Sequence, residues 1–226
     1  MDDEILCDSP VTKSFVEKSL QDYFHCRATL AKCRATVISK GMGYTSEVMR
    51  VWLDWSSEDE NSGGIKLPEK VIVKTPMIKC LDFFVNNMMD GEQIKWGEEA
   101  LNSERVVQMI HKTECDAYKI LYQADPHPVP LPLIYLIREK DPGVIIMEDL
   151  EERAGIISNI AIAVHLARLH AWSLTTSVEW RSILPGQESI MEMFKGFVET
   201  SKSGLKVVME KFKEEFGHVD ESLYEK

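Results

Sequence analysis

The sequence predicts an α+β fold: five short strands, three of them in an antiparallel meander, one long amphipathic helix, and a helical C-terminal part. Three observations predict it. Val71-Ile72-Val73-Lys74-Thr75-Pro76 combines three β-branched residues with a proline stop, which marks a short buried strand. Residues 103–123 repeat apolar positions at helical spacing, and Glu114 lies on that stripe between Ile110 and the pair Ala117 and Leu121. At Glu148-Asp149-Leu150-Glu151-Glu152 the pattern turns abruptly from apolar to acidic, and from Ser158 it is helical, as where a sheet gives way to a linker.

The elements follow in order. Asp8-Ser9-Pro10 supplies a capping residue and a helix-start proline, and Phe15, Val16, Leu20 and Phe24 then share one side of a helix to residue 24. Two strands flank a turn carrying Gly41 and Gly43. The first begins near Arg34; the second runs to Trp55, with Met49, Val51, Leu53 and Trp55 inward and Arg50 and Asp54 opposite. Ser56 to Gly64 is a solvated acidic loop, and with the Lys74 strand the three strands make an antiparallel meander. Residues 77–100 read as an extra helix and a loop, with Met88 and Met89 as packing. The Glu114 helix ends near Gln123, where Pro126, Pro128 and Pro130 forbid continuation. Leu131–Ile137 and Val144–Met147 are the last strands. Beyond them Ile162, Leu166 and Leu169 make a helical stripe, on which His170 reads as a core histidine. Residues 188–216 form one or two further amphipathic helices.

A net charge of −11 argues against nucleic acid or an anionic membrane as the main partner, since both need a clustered positive face. ATP remains open, because phosphate sites use a few local donors. No signal peptide is visible, and Ile156–Leu174 is interrupted by polar and charged residues, so no membrane span is expected. Five scattered cysteines without a CxxC pair point to free thiols, and a cytoplasmic location is the default. His25, Cys26 and Cys33 fit no zinc spacing, and no metal site is assigned.

A lysine ending a buried strand is costly unless an anion meets it. Lys74 with Glu114 matches the strand-lysine and helix-carboxylate pair that protein kinases use to hold the ATP phosphates. An ordinary structural ion pair is the other reading. Gly41 and Gly43 permit a backbone turn close to a ligand and Ser46 adds a hydroxyl, although a lone GxG is also a plain hairpin turn.

The wording of these segments is more specific than their order. Gly41-Met42-Gly43-Tyr44-Thr45-Ser46-Glu47-Val48, Val71-Ile72-Val73-Lys74, Glu114 to Leu121, Val144 to Leu150 and Leu166-Ala167-Arg168-Leu169-His170-Ala171 resemble the CHK-kinase-like family. That family comprises ecdysteroid-kinase-like and choline-kinase-like proteins expanded in insects and nematodes. The loop Asp125 to Pro130 and Leu6-Cys7-Asp8 resemble its nematode branch. The resemblance spans nearly the whole chain but about the first half of the family's domain. It implies a protein-kinase-like N-terminal lobe over residues 1–150, with one antiparallel five-stranded sheet, an αC-type helix and a hinge at 148–151. Residues 152–226 would be the helical start of an incomplete C-terminal lobe.

The resemblance also implies roles. Lys74 would bind the α/β-phosphates of ATP, Glu114 would orient Lys74, and the turn at Gly41, Gly43 and Ser46 would cover the phosphates. Met147 would face the back of the adenine pocket. The Glu148 carbonyl and Leu150 N–H would meet the adenine edge, leaving the Glu148 and Asp149 side chains incidental to binding. The family's H-x-D loop, following Asn and metal-binding Asp are not matched; His218-Val219-Asp220 falls too early and is followed by no Asn. No catalytic residue is therefore assigned, and magnesium is expected only with the second half of the domain. Two functions follow as expectations: a truncated small-molecule kinase whose family reaction phosphorylates a small-molecule hydroxyl, or an inactive pseudokinase fragment serving as a nucleotide-binding or protein-interaction module. Apolar helix faces between Met191 and Phe216 predict self-association.

Overall fold

The computed structural model describes residues 4–39, 45–56, 66–81, 103–151, 159–186 and 212. In chain order these hold α1 (Lys13–Phe24), β1 (Leu30–Val37), β2 (Ser46–Trp55), β3 (Lys70–Pro76), α2 (Ser103–Leu121), β4 (Ile134–Arg138), β5 (Val144–Glu148) and α3 (Asn159–Thr175). The fold class is α+β, as the sequence predicts. All five strands join one open antiparallel sheet in the order β1-β2-β3-β5-β4.

Strand alternation divides the sheet into two faces. Met49, Val51 and Leu53 of β2, Val71 and Val73 of β3, and Val144 and Ile146 of β5 point to one side, where Val16 and Leu20 of α1 complete a core. Each such side chain contributes roughly 1.5–3 kcal/mol on burial, so this face holds the hydrophobic core that binds the sheet to α1. The opposite face carries Val48, Arg50, Ile72, Lys74, Ile145 and Met147, aligned by register: Val48 with Lys74 and Lys74 with Ile145, Arg50 with Ile72 and Ile72 with Met147. Helix α2 closes one end of this arrangement. Its His111 is buried, with Nε2 3.0 Å from the Arg138 carbonyl, beside Gly143 and Pro76.

Three boundaries differ from the sequence reading. Helix α1 starts later, because Thr12 and not Asp8 is its N-cap: the Thr12 hydroxyl accepts the Phe15 N–H at 3.2 Å. Residues 5–12 instead fold back on themselves, with the Leu6 N–H donating to Val11 at 2.9 Å. Strand β1 begins at Leu30, not Arg34. The Leu30 amide is taken by Glu17 of α1 at 2.6 Å, and the small inward residues Cys33 and Ala35 had hidden the alternation. Strand β4 begins at Ile134, because Pro130 and Pro132 have no amide to give a ladder.

The helix expected over 77–100 is described only as a helical turn at 78–81. The rest of it, and the helices expected over 188–216 apart from Phe212, lie outside the described residues. On α3 the expected burial is not found. Ile160, Ile162, Val164, Leu166 and Leu174 are exposed, and so is His170, which was expected in a core. Helical periodicity identifies a stripe but not what covers it. No helix among the described residues is long and apolar enough to cross a membrane. All five cysteines are described and none is in a disulfide.

Candidate functional site

Lys74 lies near the end of β3 on the face away from α1, and α2 brings Glu114 to it from forty residues along the chain. Lys74 Nζ is 2.7 Å from Glu114 Oε1 and 2.6 Å from Oε2, so one ammonium engages both carboxylate oxygens. The two side chains are 25% and 23% exposed, which leaves the pair reachable from solvent while shielded on its sheet side. Glu114 borders the deepest stripe of α2, made by Val107, His111 and Cys115, and the carboxylate thus reaches the sheet without entering the core.

The other sequence-derived candidates divide. Ser46 opens β2 on the Lys74 face, two residues before Val48, and is buried. Met147 is on the same face, paired through Ile72. Glu148 pairs with Val71, which turns its side chain to the α1 side; there Oε2 accepts the Leu133 N–H at 3.0 Å. Its backbone N–H donates to the Leu133 carbonyl at 2.8 Å. Leu150 is half-buried just beyond β5. Gly41, Gly43 and Asp220 lie outside the described residues.

One group was missed in the sequence. The Asp149 side chain, expected to be incidental, is 3% exposed and receives the Arg50 guanidinium, with Nε 2.6 Å from Oδ2 and Nη2 3.3 Å from Oδ1. Arg50 Nη1 also reaches Glu151 Oε1 at 2.6 Å, and Lys70 Nζ lies 3.0 Å from Glu151 Oε2. Burial alone would raise the Asp149 carboxyl. The hydrogen bond from Arg50, the Glu151 N–H and the charges of Arg50 and Lys70 outweigh burial and hold the group below its ordinary value. The Asp149 hydrogen bond in turn pushes the Arg50 guanidinium up. The signal available was the alternation itself, which puts Arg50 and Lys70 on the Lys74 face.

This face therefore has three zones. The Lys74 ammonium, held by Glu114, has Val48 and Ile145 beside it on the neighbouring strands; the next row is Arg50, Ile72 and Met147; and the charged clamp on the chain leaving β5 lies beyond. A family model described as "Uncharacterized oxidoreductase dhs-27" (DUF1679) matches residues 5–226. The chain belongs to this family. DUF1679 is related to the nematode-expanded CHK-like proteins, which agrees with the resemblance carried by the motifs at the family level. No curated protein and no solved structure matches the chain.

Proposed function

We propose that this DUF1679 chain binds ATP on the Lys74 face of its sheet, as the nucleotide-holding part of a kinase-like protein. The observation that carries the reading is the Lys74–Glu114 pair, an ammonium fixed in place by a carboxylate and still accessible to an anion. The residues present fit the nucleotide. Lys74 offers charge-assisted donors for the α/β-phosphates, and the half-buried Val48, Ile72 and Met147 offer apolar surface for a base. Ser46 and the Gly41–Gly43 turn would lie over the phosphates, and the backbone of Glu148 and Leu150 would meet the base edge. A boundary between lobes at 148–151 belongs to the same reading.

The family's name suggests oxidation and reduction instead. A dinucleotide fingerprint joins a parallel strand to a helix through G-x-G-x-x-G. Here Gly41 and Gly43 connect two strands paired antiparallel, the third glycine position holds Ser46, and every pairing in the described sheet is antiparallel. These features favour a triphosphate over a dinucleotide. Transfer of the γ-phosphoryl group to a small-molecule hydroxyl is the reaction of the proteins the chain resembles. The second reading, an inactive nucleotide-binding or protein-interaction module, draws on the exposed apolar residues of α3.

The test is competition against a fluorescent ATP analogue. ATP should displace the analogue, and NAD and NADP should not. Displacement by a dinucleotide alone would replace the ATP reading with the oxidoreductase one.

A further inference from the structure

Arg50, Lys70, Asp149 and Glu151 come from two strands and from the stretch that leaves β5, and together they fasten that stretch at several points. Arg50 grips Asp149 with a two-pronged contact, Nε to Oδ2 at 2.6 Å and Nη2 to Oδ1 at 3.3 Å. Its remaining nitrogen, Nη1, holds Glu151 at 2.6 Å, and Lys70 holds the other Glu151 oxygen at 3.0 Å. Asp149 Oδ1 also accepts the backbone N–H of Glu151 at 3.0 Å, which closes a tight turn around Leu150. Leu150 is thus flanked by two carboxylates, each tied to the sheet. To make these contacts Arg50 reaches from β2 past Ile72 of β3, across the Lys74 face.

Cohesion alone does not call for this arrangement. Desolvating a carboxylate as buried as Asp149 costs about as much as its pairing returns, and an apolar residue of similar size would serve stability as well. What a guanidinium fork adds is direction, because its donors match a carboxylate in one plane and one orientation. We propose that the Arg50–Asp149 fork, with Lys70 and Glu151, positions the backbone of 148–150 to read the edge of a purine base, and so sets which base the chain accepts. This inference rests on the ATP-binding reading. The two ends of the face then divide the work: Lys74 and Glu114 hold phosphate whatever base is attached, and Arg50 and Asp149 hold the edge that distinguishes one base from another. Arg50, Asp149, Lys70 and Glu151 are positioning residues, acting through the backbone.

The experiment uses the full chain with Asp149→Asn and, since that change alters a buried group, Arg50→Lys as a milder variant that keeps the charge and loses the fork. Affinities for ATP, GTP and inorganic tripolyphosphate are measured by displacement of a fluorescent ATP analogue. Amide hydrogen exchange is followed at Leu150 and Glu151. In both variants exchange should accelerate at these two amides and ATP should weaken about tenfold, as for one or two lost oriented hydrogen bonds. Tripolyphosphate should stay within about twofold, and the preference between ATP and GTP should shrink. Equal weakening of ATP and tripolyphosphate, or unchanged exchange in folded variants, would overturn the proposal. Wild-type protein that binds tripolyphosphate as tightly as ATP overturns it too, while leaving the Lys74 site standing. Wild-type protein that binds neither overturns the ATP reading itself.

Discussion

Replacing Lys74 by alanine separates a phosphate-binding pair from an ordinary structural one. At 2.7 Å the attraction between Lys74 and Glu114 is about 1.5 kcal/mol with the screening of bulk water and about 6 kcal/mol at an effective dielectric constant of about 20. With each side chain about a quarter exposed, desolvation and lost rotamer freedom consume most of this, leaving a net contribution of about 1 kcal/mol. Lys74→Ala should therefore lower the melting temperature by only about 2–4 °C. Its effect on ATP should be far larger, because charge-assisted hydrogen bonds to phosphate are each worth about 1.5–3 kcal/mol, or about 10- to 150-fold in affinity. Glu114→Ala leaves the ammonium present but unheld and should cost about tenfold, the loss of a preorganised donor. Because Glu114 acts through Lys74, the double variant should bind ATP no more weakly than Lys74→Ala alone. The assay is calorimetric titration of the four proteins at one ionic strength. A folded Lys74→Ala protein with ATP affinity within about twofold of wild type would refute the phosphate role, and additive losses would refute the dependence of Glu114 on Lys74.

Four further outcomes follow from the described contacts. Gly143→Ala would place a Cβ 2.7 Å from His111 Nε2 and 2.8 Å from its Cδ2, and should destabilise the chain by about 2 kcal/mol in urea unfolding; an unchanged midpoint would mean the ring has room to move. Burial pushes the Cys33 and Cys115 thiols up to about 11, so alkylation at pH 8 should leave both unlabelled in intact protein by mass spectrometry, and rapid labelling would contradict this packing. The folded Asp149 carboxyl is held below its ordinary value of about 4, so its stabilisation is complete above that pH and is lost as pH falls through the folded value. The stability gap between wild type and Asp149→Asn should accordingly close in acid; a gap constant down to pH 2 would show that folding does not lower the Asp149 carboxyl. Exposed Ile160 and Leu174 should drive self-association, so sedimentation should show species heavier than 25.8 kDa that Ile160→Lys with Leu174→Lys reduces; a clean wild-type monomer would count against it.

Lys74 and Glu114 were legible because each breaks a local pattern. Lys74 is a charge ending a β-branched run and Glu114 is a carboxylate on an apolar helical stripe, so both stood out without knowledge of a partner. Arg50 and Asp149 did not stand out, because each conforms. Arg50 takes a polar place in a clean alternation, and Asp149 belongs to an acidic run of the kind usually left to solvent. Only the sheet order brings them together across 99 residues, by setting β5 against β3, and strand order is not written in any local window. The start of α1 was misread for a related reason: Asp8-Ser9-Pro10 carries capping chemistry, but the pairing of Ile5 with Thr12 uses that segment first.

Seen along the Lys74 face, the two kinds of residue make one surface. Lys74, Arg50 and Lys70 share this face, each paired with a carboxylate, and Ile72 and Met147 lie between the Lys74 row and the charged clamp. A nucleoside triphosphate has the same sequence of demands: an anionic end, a flat apolar middle, and a hydrogen-bonding edge that needs a fixed backbone to read it. A structural ion pair alone would account for the first zone but not for the order of all three. Phosphate, base and base edge would each meet a matching element across β2, β3 and β5: Lys74, Ile72 with Met147, and the fastened backbone beyond β5.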